Sequence, residues 1–283
     1  MSPVAPQVLK SYHGNVKPVW CPGCGDFSVL TATYQALAEL SLDPARVIIA
    51  SGIGCSGRFP AYVNSYGFHG VHGRVLPTAT GMKIANPDLT VMAVGGDGDG
   101  LAIGGGHFAH ACRRNVNITY IMLDNQIYGL TKGQPSPTTM PSLVEYKKTH
   151  QPYGIIEDRI NPVAMALAYG ASFVARGYSG KVAQVLDLIK QGIAHRGFSF
   201  VHILSPCVTF YPTYDFFKQS TVPMPEGHDE GSRLDAIQLS QTPGKFYLGT
   251  FYRHEGPDFT ERMNMVKQKA GKGDLNLIVQ EYT

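Results

Sequence analysis

Apolar and polar positions along the chain alternate between two periods. DFSVLTATYQALAEL, residues 26–40, carries apolar side chains at helical spacing, and Asp26 or Ser28 at its start could cap a helix. RVIIASGIG (46–54) follows as a short strand. DLTVMAVGGDGDG (88–100) is an apolar run that ends in glycines, LAIGGGHFAHACRRN (101–115) reads as a helix, and VNITYIMLDNQIYG (116–129) is a second apolar run. Strand, helix and strand within about forty residues make a βαβ unit, with parallel strands and a right-handed crossover. NPVAMALAYGA and KVAQVLDLIKQGIAHRG continue as helices, and SFVAR and FSFVHILSP as strands. The alternation predicts an α/β domain with a mostly parallel sheet flanked by helices.

Two stretches break the pattern. Residues 55–74 are rich in Gly, His and Tyr and read as a long loop whose length suggests function. After Cys207 the chain is dense in Pro, Gly and aromatic residues with no long periodic stretch, and reads as an irregular C-terminal arm that wraps this domain or a partner. The expected organisation is an N-terminal arm (1–20), an α/β domain (21–207) and a C-terminal extension (208–283).

Composition narrows the chemistry. Hydrophobic residues make up 43% of the 283 and charged residues 16%, so much of the chain is expected to be buried or to face other protein. A net charge of +3 with no basic block speaks against nucleic acid as ligand. The N-terminus lacks a secretory pattern and no apolar run is long enough to span a membrane, which gives a cytoplasmic expectation. Five cysteines in a reducing compartment argue for metal, catalysis or packing over a disulfide framework. Cys112, alone inside a helical pattern, suits packing.

Parallel strands put ligand-bearing loops at their C-terminal ends, here GDGDG and DNQIYG. Glycines between a strand and a helix let a phosphate approach free backbone N–H groups. Asp97 and Asn125, at the ends of consecutive strands, could hold a small hard cation between phosphates. A glycine-rich turn with Asp97 as a helix cap would look the same, but DNQIYG at the next strand end favours the metal and diphosphate. GDG followed about thirty residues later by Asn resembles the thiamine diphosphate (TPP) fingerprint. That resemblance implies Asp97, Asn125 and the carbonyl of Ile127 as Mg²⁺ ligands, and leaves Asp99 as an extra carboxylate beside them.

Cys21 and Cys24 precede the first helix, Cys55 follows the first strand and Cys207 follows a late one. Their spacing leaves a redox pair, a zinc site and a 4Fe-4S cluster open, although only one CxxC knuckle is present and the other two cysteines are single. CPGCG, IGCSGR, HGR, LPTATGMKIANP, GGDGDGLAIGGGHFAHACRRN, DNQIYGLTKGQPSPTT and SPCVTFYP together resemble the β subunit of the 2-oxoacid:ferredoxin oxidoreductases, most closely the 2-oxoglutarate type. The match runs from about residue 12 to the end, in the family's order.

That resemblance implies a TPP-binding fold and one 4Fe-4S cluster on Cys21, Cys24, Cys55 and Cys207. TPP contacts are expected from Gly54, Cys55, His72, Gly96, Asp97, Gly98, Asn125, Ile127, Tyr128, Gly129, Leu130 and Thr131, and Asp99 either faces the diphosphate through water or supports a neighbouring ligand. The implied reaction converts a 2-oxoacid and coenzyme A to acyl-CoA and CO₂, with electrons passed to ferredoxin, or the reverse. Lys132, close after the metal loop, could bind a substrate carboxylate, and His72 could touch cofactor or substrate. No second α/β domain fits in the chain, so the family's catalytic Glu belongs to an α subunit, in an expected α₂β₂ assembly. Pyruvate or several 2-oxoacids remain alternative substrates. A non-redox TPP decarboxylase or synthase would leave the thiols idle, and a zinc-stabilised assembly subunit would leave the diphosphate loop idle.

Overall fold

The computed structural model describes residues 6–141, 154–270 and 279–281. Its helices are α1 (Pro6–Ser11), α2 (Asp26–Glu39), α3 (Val75–Ala85), α4 (Gly105–Arg114), α5 (Pro162–Ala168), α6 (Val182–Ala194), α7 (Tyr214–Ser220), α8 (Arg233–Ser240) and α9 (Phe259–Ala270). The strands are β1 (Val47–Ser51), β2 (Tyr66–His69), β3 (Thr90–Gly96), β4 (Ile118–Asp124), β5 (Ile127–Tyr128), β6 (Gln134–Pro135), β7 (Phe173–Tyr178), β8 (Phe198–Leu204), β9 (Thr221–Pro223) and β10 (Phe246–Arg253). Eight strands form one sheet in the order β2-β1-β3-β4-β8-β7-β10-β9, and β5 with β6 makes a small antiparallel hairpin at its rim. Every pairing in the large sheet is parallel except β10 against β7.

The central strands are buried along their whole length because helices cover both faces, which is why they read as continuous apolar runs. Alternate side chains then feed two cores. Ile121 and Leu123 of β4 and Val201 and Ile203 of β8 join Val29 and Leu37 of α2 and Leu188 of α6 on one face. Tyr120 and Met122 of β4 and Phe198 and Phe200 of β8 join Phe108 of α4 and Val163 of α5 on the other. The Phe108 and Phe200 rings meet edge to face at 4.9 Å. Cys112 is fully buried in this second core, as a packing residue would be.

Four elements depart from the sequence reading. The loop expected over residues 55–74 contains a 3₁₀ turn (Ser56–Tyr62), whose Phe59 and Tyr62 are buried, and the edge strand β2. α3 has no helical signature in sequence because its buried positions are few and Pro77 lies in its first turn. The residues after 207 are more ordered than their composition suggests: β10 extends the main sheet antiparallel to β7, with β9 beside it and α8 packed below. Finally, neither Asp26 nor Ser28 caps α2. The N-cap is Gly25, and the Asp26 carboxylate instead accepts a hydrogen bond from the Ser205 hydroxyl at 2.6 Å. Among the described residues no helix is long and apolar enough to cross a membrane.

Candidate functional site

Because β1, β3, β4 and β8 run parallel, the loops after them open on one rim, and the start of α2 is tied there by Gly25 N–H to the Pro206 carbonyl. Two adjoining chambers lie along this rim. The first, about 280 Å³, is lined by every residue of the expected TPP set, from Gly54 to Thr131, together with Asp26, Ile53, Ser56 and Leu123. The second, about 290 Å³, is lined by Cys21, Cys24, Cys55 and Cys207, with Trp20, Arg58 and Lys132. Cys55, Asn125, Gly129 and Leu130 belong to both and form the dividing wall.

Asp97, at the end of β3, is buried. The Thr138 hydroxyl lies 2.6 Å from its Oδ2 and 2.8 Å from Asp124 Oδ1. One hydroxyl has one proton, so it donates to only one of the two carboxylates, and the other contact is a hydrogen bond only if that carboxyl is protonated and donates to the Thr138 oxygen. Burial, with the Asp124 charge adding to it, pushes Asp97 up to about 7, the direction that this crowding requires. Asp97, a buried carboxylate that lines the first chamber with the Asp124 charge behind it, therefore suits a divalent cation. Asn125 follows at the end of β4, where Gln126 takes a left-handed φ of 59° and the turn is closed by Ile127 N–H to Asn125 Oδ1. That turn brings Asn125 and Ile127 to the chamber beside Asp97. Gly98 has to be glycine: a Cβ there would stand 2.2 Å from the Tyr128 ring.

Asp99 serves a different purpose from Asp97. Its Oδ1 accepts hydrogen bonds from Ile53 N–H at 2.9 Å, Gly73 N–H at 2.7 Å and His72 Nδ1 at 2.9 Å. It thus clamps the β1 loop and the histidine loop together, and its buried Oδ2 has no partner. His72 is held by this contact at the chamber edge, while His69 pairs with Ser51 and Arg74 Nη1 donates to the Ile103 carbonyl.

In the second chamber, Cys21 is exposed and the other three thiols are half-buried. The Cys55 and Cys207 sulfurs each lie 3.7 Å from the point a Cβ on Gly129 would occupy, as does Asn125 Nδ2. Burial, with the Asp26 charge adding to it, pushes the Cys55 thiol up to about 12 and raises Cys24 as well. Asp26 itself is pushed up to about 6 by burial. No group of three or more Cys, His, Asp or Glu among the described residues is drawn tightly enough to hold a metal ion. The thiols instead ring a space. Trp20 donates to the Cys55 carbonyl at 2.8 Å and packs edge-on against Phe27 and Tyr62, which staples the CPGC segment to the loop after β1.

Lys132 lines this second chamber and not the first. Sequence reasoning did not single out Arg58, Asp124, Thr138 or Thr139, nor Asp26 as a chamber residue. Only the PSPTT block, matched as a motif without a role, pointed towards the threonines.

Two family descriptions match the chain: "Thiamine pyrophosphate enzyme, C-terminal TPP binding domain" over residues 52–203, and the C-terminal region of the pyruvate ferredoxin oxidoreductase β subunit over residues 207–268. The β subunit of 2-oxoacid:ferredoxin oxidoreductase 1 from Aeropyrum pernix is 40% identical over 263 residues, covering 88% of this chain and 82% of that protein. The chain belongs to the β subunits of the 2-oxoacid:ferredoxin oxidoreductases. A second A. pernix β subunit is 51% identical over 191 residues, a match that spans 68% of this chain and 61% of that protein's length. The 2-oxoglutarate synthase subunit KorB of Methanocaldococcus jannaschii is 38% identical over 261 residues, 89% of this chain and 93% of KorB. Among solved structures, a 2-oxoglutarate:ferredoxin oxidoreductase from Magnetococcus marinus, with 2-oxoglutarate, coenzyme A and succinyl-CoA bound, superposes with a TM-score of 0.92 at 42% identity. It covers 97% of this chain and 96% of its own. This β subunit therefore has the TPP-binding fold of an oxidoreductase and works beside a partner subunit.

Proposed function

We propose that this β subunit, joined to an α subunit, oxidatively decarboxylates 2-oxoglutarate with coenzyme A to succinyl-CoA and CO₂. Two electrons leave one at a time to ferredoxin, and the reaction is reversible. The observation that carries this reading is the pair of chambers sharing one wall: a carboxylate and amide pair suited to a cation and diphosphate on one side, four cysteines on the other. Asp97, Asn125 and the Ile127 carbonyl would hold Mg²⁺, and the glycines around Gly96 and Gly98 would admit the diphosphate. Cys21, Cys24, Cys55 and Cys207 would hold one 4Fe-4S cluster. TPP supplies the electron sink for decarboxylation, and a cluster supplies a one-electron exit.

This chain's own residues orient and enclose. Asp99 fixes His72 at the mouth of the first chamber, within reach of cofactor or substrate. Lys132, next in the chain to Thr131 on the first chamber's wall, suits the distal carboxylate of a dicarboxylic substrate at the partition, and Arg58 adds a cation on the thiol side. Exposed Val16, Val19 and Leu130 border a further hollow next to Gly54, an apolar surface suited to an α subunit that closes the site and brings the catalytic Glu.

The test is anaerobic co-purification with the α subunit, followed by metal analysis and assay with coenzyme A, ferredoxin and a panel of 2-oxoacids. Iron and sulfide at one cluster per β chain, bound TPP, and higher kcat/KM for 2-oxoglutarate than for pyruvate are expected, with no turnover by the β chain alone. An iron-free, colourless complex would sink the redox reading, and a preference for pyruvate would reassign the substrate.

A further inference from the structure

The Ser136-Pro137-Thr138-Thr139 stretch has no role in the function just proposed, yet its two threonines are buried against Asp97 and against Gln126, the residue between Asn125 and Ile127. Thr138 is 1% exposed and Thr139 2%. The Thr138 hydroxyl touches Asp97 Oδ2 at 2.6 Å and Asp124 Oδ1 at 2.8 Å. Asp124 is anchored in turn, since His202 Nε2 lies 2.7 Å from its Oδ2 and Arg176 Nε donates to His202 Nδ1 at 3.2 Å. The Thr139 hydroxyl donates to the Gln126 carbonyl at 2.6 Å and accepts from Ser136 N–H at 2.8 Å. Gln126 is the left-handed residue between Asn125 and Ile127. One hydroxyl therefore fixes the carboxylate from β3, and its neighbour fixes the turn after β4.

We propose that Thr138 and Thr139 are the positioning residues of the divalent-cation site, locking Asp97 and the Asn125–Ile127 turn into one register. This rests on the cation site of the proposed function. Asp97 without its hydroxyl partner would have to give up rotamer freedom when the cation arrives, and the left-handed turn without its carbonyl anchor could relax and separate Asn125 from Ile127. Either loss weakens binding of the metal without removing a ligand. Groups that orient metal ligands in this way affect affinity by about 10–100-fold.

The experiment uses the complex with its α subunit, loaded with TPP, and follows Mn²⁺ binding by electron paramagnetic resonance. Thr138→Val and Thr139→Val should each raise the Mn²⁺ dissociation constant about tenfold or more. Thr138→Ser and Thr139→Ser, which keep the hydroxyl, should stay within about threefold of the parent. Thiol-chamber absorbance should be unchanged throughout, while the Val variants, which leave buried acceptors short of a donor, should lose thermal midpoint even without Mn²⁺. Should a Val variant fail to assemble, the corresponding Ala variant removes the same hydroxyl without setting a second methyl against its partners, and it carries the same expectation. Val or Ala variants that bind Mn²⁺ like the parent, or Ser variants as weak as Val, overturn the proposal. A parent complex that takes up TPP but no Mn²⁺ sinks the cation site itself, and this proposal with it, before any variant is compared.

Discussion

Lys132 adopts a φ of 76°, a conformation that costs a non-glycine residue about 1–3 kcal/mol, and Gly133 follows at 106°. A lysine kept in a position that suits glycine points to a use for its charge. Lys132→Gly should therefore hold or raise the thermal midpoint while raising KM for 2-oxoglutarate more than for pyruvate. Equal changes in both KM values would remove the carboxylate-binding role. At this scale the chamber-lining positions of Asp97, Asn125 and the four cysteines were legible in sequence, because they stand at element ends and beside glycine-rich turns. Their supports were not. Thr138 lies 41 positions from Asp97, and Ser205 lies 179 from Asp26. A lone hydroxyl carries no pattern that would connect such distant positions. Asp99 was visible as a carboxylate, but its three donors come from Ile53, His72 and Gly73, so its clamping role depends on loops that only the fold brings together.

Among the elements, the central strands could be read as apolar runs because helices cover both their faces, and α6 because its apolar face meets α2. β10 was hidden: its burial alternates at first but Gly249 and a register shift between Thr250 and Tyr252 interrupt the period. β2 was hidden for the opposite reason, since all four of its residues are exposed and Tyr66 and Phe68 alone, beside Gly67, make no apolar run. The turn from β3 into the helical segment that follows makes a sharper prediction. An added methyl at Gly98 would drive into the Tyr128 ring, so Gly98→Ala should displace the β5–β6 hairpin and raise KM for TPP. The visible absorbance of the thiol chamber should stay as in the parent. Loss of that absorbance would mean that the hairpin supports the thiols as well.

Taken whole, the molecule buries acids at its functional rim, and their protonation is linked to its stability. Asp26 is raised to about 6 and Asp97 to about 7, both from 3.8. The folded chain thus holds these protons more tightly than the unfolded chain. Their contribution is complete below about pH 4 and is lost as pH rises through about 6 and then 7. Thermal unfolding of the cofactor-free protein should show its midpoint falling over that window, and Asp26→Asn should flatten the lower part of the fall. A midpoint that rises with pH over the same window, or an unchanged slope in the variant, would contradict the buried-acid account. The partition between the chambers has a consequence of its own. Three groups stand 3.7 Å from where a Cβ on Gly129 would sit, ordinary contact for a single methyl, so any side chain longer than alanine's would crowd both compartments. The two halves cannot diverge separately over generations: whatever alters one is judged at once by its effect on the other.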